Sequence, residues 1–192
     1  MPNEYLSLGK AVNTTNFQNL TSGTGGYLWT SKNKGGDNAW NFKPFDGTIA
    51  HTSKTFTYPV ICVLGTELAK GVFTSDTVNG DDVVNDLITG LMWQKESDFS
   101  GNWKEALKYC EDLNHAGYTD WRLPNKNELA SLLNHERLMS PYSDFPDMSR
   151  YNKTLLWSST CNSGYNAIGV DFYYGNVSWN QKSRTLGVRC VR

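Results

Sequence analysis

The chain has 192 residues, with 18 basic and 19 acidic side chains and a formal net charge of −1 at pH 7. That length hides roughly 70% of its unfolded surface on folding, enough for a substantial core. The balanced charge, with no basic tract, argues against a nucleic-acid-binding surface, and no run of about 18 apolar residues is present to span a membrane.

The opening MPNEYLSLGK has neither the basic n-region nor the apolar core of a signal peptide. Seven Trp, ten Tyr and eight Phe among many Gly, Asn, Ser and Thr predict short strands and frequent turns. Residues 27–64 can be laid over 155–192 without a gap, giving twelve identities in 38 positions. Trp29 meets Trp157, Gly36 meets Gly164, Ala39 meets Ala167, Lys54 meets Lys182 and Cys62 meets Cys190. Chance would give roughly two or three identities at ordinary residue frequencies, so an internal repeat is the better explanation. Asn3-Glu4 and Leu6-Ser7-Leu8 resemble Asn127-Glu128 and Ala130-Ser131-Leu132. The expected organisation is the C-terminal half of a first unit over 1–65, mainly strands, followed by a complete unit over 66–192.

In the complete unit, Val83-Val84 and Leu91-Met92-Trp93 predict two short strands around a Thr89-Gly90 turn. Asn102 with Glu105 reads as a capping box. It opens a helix whose Trp103, Ala106, Leu107, Cys110 and Leu113 share one face, and Gly117 is a stop signal. Pro124 breaks the chain, Asn125 and Glu128 repeat the cap, and Leu129, Leu132 and Leu133 form the stripe of a second, shorter helix. Residues 134–154, rich in Pro, Ser, Asp and Tyr, read as a long loop. From Leu155 the chain reads as strands, through LLWSST, NAIGVDFYY, a Gly175-Asn176 turn, VSW and LGVRCVR. Strand, two helices, loop and strands predict an α+β domain.

The cysteines Cys62, Cys110, Cys161 and Cys190 show no C-x-x-C spacing, and His51, His115 and His135 are scattered. The pattern reads as disulfides of an oxidising compartment and not as a zinc site. Asp81, Asp82 and Asp86 are the carboxylates a calcium ion would use, but acids in surface turns are common, and no cofactor or metal is expected. There is no G-x-S-x-G elbow and no phosphate-cradling glycine loop, so the chain is not expected to be an enzyme. Trp93, Trp103, Trp121 and Trp157 sit in strand and helix patterns and are expected in the core. Arg122 is expected as a partly buried fork tying up carboxylates or carbonyls.

Five ordered blocks carry a resemblance: Asp86–Gln94, Trp103–Cys110, Asp120–Leu129, Trp157–Thr160 and Val188–Arg192. Together they resemble the bacterial DUF1566 family, which includes the C-terminal domain of the Legionella collagen-like adhesin. The resemblance implies a C-type-lectin-like fold, with two helices packed on short antiparallel sheets and long loops, in a secreted or cell-surface protein. It also implies a disulfide between a helix cysteine and one in the last strand, a pattern Cys110 and Cys190 fit. Cys62 then lacks a helix partner, and its pairing with Cys161 stays open. Calcium-dependent sugar-binding lectins of that fold carry an E-P-N or Q-P-D triplet and a W-N-D triplet. The first is absent here, and Trp179-Asn180-Gln181 lacks the Asp.

The segment NAIGVDFYYGNVSWNQKSRT holds the candidate binding residues. With Ile168, Val170 and Phe172 directed inward, Asn166, Asp171, Tyr173, Tyr174, Asn176, Ser178, Trp179 and Asn180 are expected outside or on turns. Tyr, Ser, Asn and Trp supply rigid aromatic area and adaptable hydrogen bonding, the composition of recognition surfaces. Between the two matched stretches the framework positions agree, whereas Lys43 faces Asp171, Asp46 faces Tyr174 and His51 faces Trp179. The function expected is therefore a non-enzymatic, exported bacterial binding module or adhesin that recognises a glycan or host-surface polymer through the 165–183 face. Its partner would be a glycan or a protein on another cell or surface, with no nucleic acid and with a homo-oligomer open. The alternative is a receptor-binding or assembly module of a tandem surface protein. Gly187–Arg192 resembles the close of lectin-fold proteins diversified by retroelements.

Overall fold

The computed structural model describes residues 26–44, 47–60, 71–137, 140–146, 148, 154–162 and 164–192. Strands β1 (Leu28–Gly35), β2 (Asn38–Lys43) and β3 (Thr48–Ser53) form an antiparallel meander. A separate three-stranded sheet follows from β4 (Phe73–Val78), β5 (Asp81–Asp86) and β6 (Met92–Gln94). Next come β7 (Ser100–Gly101), α1 (Trp103–Glu111) and α2 (Lys126–Ala130). The chain closes with β8 (Leu155–Cys161), β9 (Asn166–Asp171), β10 (Asn176–Gln181) and β11 (Leu186–Gly187). The large sheet has eight strands in the order β1-β2-β3-β10-β9-β8-β11-β7.

The bounds of the strands are themselves informative. β2 and β9, and likewise β3 and β10, begin and end 128 residues apart. The two meanders meet through β3 and β10, antiparallel, with Ile49 opposite Val177, again 128 residues apart. Equivalent positions therefore face each other across the seam, as they do in an isologous contact about a two-fold axis.

The α+β, C-type-lectin-like arrangement with two packed helices is corrected by the structure, in which 42% of the described residues are strand and 10% helix. The second apolar stripe does not extend as a helix. After Ala130, Ser131 caps the chain and its hydroxyl donates to Glu128 O at 2.7 Å. Leu132 and Leu133 then bond back only three residues, to Leu129 O and Ala130 O. The helices also occupy opposite sides of the large sheet. Ala106 and Cys110 of α1 pack with Trp157, Ala167, Val188 and Cys190. Leu129 of α2 packs with Leu156, Ile168, Val170 and Val177. Neighbours along a strand point to opposite faces, so these two cores flank the sheet. The second core continues into the first meander through Trp40, Phe42 and Ile49, and the long loop plugs it with Tyr142, Phe145 and Met148.

The capping boxes at Asn102/Glu105 and Asn125/Glu128 are both present. Trp93, Trp121 and Trp157 are buried and Trp103 is half-buried. Cys110 and Cys190 form a disulfide with Cα atoms 5.5 Å apart. Cys161 is exposed and in no disulfide among the described residues. Cys62, the Asn3–Leu8 match and the expected boundary near residue 65 lie outside the described residues.

Candidate functional site

The β9–β10 turn is built from its first residue outward. Asp171 Oδ1 accepts the N–H groups of Tyr173 and Tyr174 at 2.8 and 3.2 Å, and Asp171 O accepts that of Gly175 at 2.7 Å. Such an Asx turn lets a short acidic side chain replace a backbone acceptor. Phe172 is buried, which anchors the turn in the core. Gly175 has φ +72°, and a Cβ there would lie 2.5 Å from the Trp40 ring. His135 Nε2 donates to Gly175 O at 2.9 Å. Trp40 is ringed edge-on by His135, His51 and Tyr142, with centroids 4.3, 5.3 and 5.5 Å away.

Burial pushes the pKa of His135 below its ordinary 6.5, and the charges of Lys34 and Lys32 push it further. Burial also lowers that of His51, again with help from Lys34. Neutral imidazoles are what this aromatic seat favours, because a low-dielectric site penalises the charged form.

The inner side of the turn is thus fixed, while its outer side carries two exposed rings. Tyr173 and Tyr174 are 53% and 55% exposed, their rings 4.8 Å apart and nearly perpendicular at 84°. The remaining candidates are placed differently. Asn166 is half-buried at the start of β9, where its N–H donates to Asn162 Oδ1 at 3.3 Å. Asn176, Ser178 and Asn180 share one face of β10. Asn180 is buried, donating to Ser178 O and Oγ and accepting from Arg184. Asn176 Oδ1 is shielded from solvent and has no hydrogen-bond partner among the described residues. Trp179 lies on the opposite face of β10, half-buried against the core that holds Ile168 and Trp40. The structure therefore groups Asp171, Tyr173 and Tyr174, and separates Trp179 from Asn176, Ser178 and Asn180. Sequence reasoning did not single out Tyr165, 89% exposed just before β9. Nor did it find the seat made by Trp40 and His135, which long-range packing alone assembles.

The three aspartates considered for calcium are engaged elsewhere. Asp86 is buried and accepts from Ile88 N, Thr89 N and Thr89 Oγ1. Asp82 accepts from Thr77 and Lys95, which hold its carboxyl below the usual range. Asp81 accepts from Ala116 N. Among the described residues no three His, Cys, Asp or Glu converge on a metal position.

The five sequence blocks are occupied with internal contacts. Arg122 forms a two-pronged bond to Glu128 at 2.7 and 2.8 Å, while Glu128 also caps α2 through Asn125 N. Trp157 Nε1 donates to Gly101 O and Trp103 Nε1 to Ser158 O, at 3.0 and 2.9 Å. Arg189 donates to Gln94 O, and Arg192 grips Asp120 with two bonds. The family model of the Lcl C-terminal domain matches residues 82–192, which contain all five blocks. The chain belongs to the Lcl C-terminal domain family. This is the domain type of the Legionella collagen-like adhesin, and it marks the chain as an adhesin-like bacterial surface module. No curated protein matches the chain. No helix among the described residues is long and apolar enough to cross a membrane.

Many of the residues that carry the Lcl C-terminal resemblance hold the scaffold together, as the bonds of Arg122, Trp157, Arg189 and Arg192 show. The exposed aromatic turn lies outside those blocks.

Proposed function

We propose that this chain is a non-enzymatic recognition module of an exported bacterial surface protein, and that it holds a glycan or another host-surface polymer on the Tyr173–Tyr174 turn. The observation that carries this reading is the exposed, perpendicular tyrosine pair on a turn whose inner side is locked by Asp171, Gly175 and Trp40. A rigid aromatic corner offers ring faces to the C–H faces of a sugar and hydroxyls to its oxygens. It loses little conformational freedom on binding, which is the main saving of a preorganised surface. Two such rings give modest affinity at one site, so adhesion would draw on many copies acting together.

The test is a glycan and glycosaminoglycan array, run with calcium and with chelator, on the wild type and on Tyr173→Ala/Tyr174→Ala. The reading expects selective binding that the double variant loses by about tenfold or more. Absence of binding, or binding that the double variant keeps, contradicts it. A second reading, an assembly module, is favoured by a different observation, the half-buried Trp29 beside an open groove on the first meander.

A further inference from the structure

On the β8 side of the large sheet, a helix start covers one strand face. Trp157 is fully buried there, donating to Gly101 O at 3.0 Å. Trp103 N–H donates to Lys182 O at 3.0 Å, and its ring lies under Lys182 Nζ, 4.5 Å from the centroid. Lys182 Nζ is positioned by donating to Gly164 O at 3.1 Å. Ala167 beneath is fully buried.

The first meander repeats the receiving half of this arrangement, 128 residues earlier. Lys54 Nζ donates to Gly36 O at 2.7 Å, as Lys182 does to Gly164 O. Trp29 N–H bonds Pro59 O at 3.1 Å, so residues 58–60 run beside β1 where β11 runs beside β8. Among the described residues no helix start covers this face. Trp29 and Ala39 are only half-buried, where Trp157 and Ala167 are fully buried. An open groove of about 350 Å³ lies there, lined by Trp29, Thr30, Ser31, Asn33, Ala39 and Lys54 among others.

We propose that this groove docks a helix-start segment of another polypeptide, with the chemistry of residues 98–113. A glycine carbonyl would meet the Trp29 indole N–H, and a tryptophan after the helix cap would place its indole N–H on the Thr30 carbonyl, as Trp103 Nε1 does on Ser158 O at 2.9 Å, with its ring under Lys54. The chain's own helix start cannot serve, because it is committed to Trp157 and tied by the Cys110–Cys190 disulfide. Charge agrees with this occupant. Residues 98–113 hold four acidic and two basic side chains, and Lys54 rims the groove beside Lys32, which is paired with Glu136 at 2.7 Å. On this account the first meander is the C-terminal half of a unit that accepts its helical half from outside the 26–60 segment.

A synthetic peptide of residues 98–113, with Cys110→Ser to exclude thiol chemistry, is titrated into the full chain and followed by amide chemical-shift perturbation. The proposal expects saturable binding with shifts at Trp29, Ala39 and Lys54. Trp103→Ala in the peptide, and separately Ala39→Arg in the chain, each weaken it by about tenfold or more, the usual effect of losing or blocking a buried aromatic anchor. Ala39→Arg alters a half-exposed position, and an unchanged melting temperature verifies that the chain is folded. No saturable binding up to about 1 mM, or binding that Ala39→Arg leaves intact, overturns the proposal.

Discussion

Gly175→Ala tests whether the tyrosine turn is seated on the first meander. The residue has φ +72°, where an L side chain is strained by about 1–2 kcal/mol. Its Cβ would also lie 2.5 and 3.0 Å from two Trp40 ring atoms and 3.2 Å from Tyr142 Cγ. Trp40 is held by His135, His51 and Tyr142 and cannot swing aside as a surface side chain would. Overpacking of that kind adds about 1–3 kcal/mol, and the two contributions give about 3 kcal/mol together. Gly80→Ala is the matched control, since Gly80 has φ +89° with nothing within 4 Å of its Cβ position. It should lose only the backbone part. With a slope of about 2 kcal/mol per M urea, the midpoint should fall by about 1.5 M for Gly175→Ala and by about half that for Gly80→Ala. Equal losses for the two variants would refute the claim that Trp40 supports the turn.

Two further outcomes are expected. His51 and His135 have folded pKa values below 6.5, so the unfolded chain binds more protons as pH falls through that region. Their contribution to stability is complete above about pH 6.5 and is lost as pH falls through the folded values. Urea midpoints across that window should drop on acidification, and His135→Gln should flatten the slope. A midpoint that rises on acidification contradicts the assignment. The Cys110–Cys190 disulfide closes a sequence separation of 80 residues, for which chain entropy gives about 4.5 kcal/mol. Cys110→Ser/Cys190→Ser, or reduction of the wild type, should lower unfolding free energy by about that amount, and a loss under about 1 kcal/mol contradicts it.

Local chemistry was legible in the sequence. Asn102 and Asn125, each three residues before a Glu, announce helix starts that are present with both bonds of the box. Arg122 is expected as a partly buried fork; the structure shows the fork, to Glu128, on a side chain that is exposed. The balance of helix and strand was not legible. The seam between β3 and β10 pairs residues far apart in the chain, and no local pattern specifies it. The stripe Leu129, Leu132, Leu133 has helical spacing, yet Leu132 and Leu133 enter the core from a turn and not from a longer helix.

The candidate site was legible as composition more than as geometry. Strand alternation puts Trp179 on the face of Val177, away from Asn176, Ser178 and Asn180. The tyrosines stand out because Asp171 and Gly175 are both turn formers. The support beneath them, Trp40 with His135, comes from two distant segments brought together by packing.

The central claim is that recognition rests on the ring faces of Tyr173 and Tyr174. Calorimetric titration of the strongest array ligand against wild type, Tyr173→Ala/Tyr174→Ala and Tyr173→Phe/Tyr174→Phe tests it most directly. The account predicts a loss of about tenfold or more for the alanine pair, at an unchanged melting temperature, with most affinity kept by the phenylalanine pair. Equal affinity for the wild type and the alanine pair would contradict it.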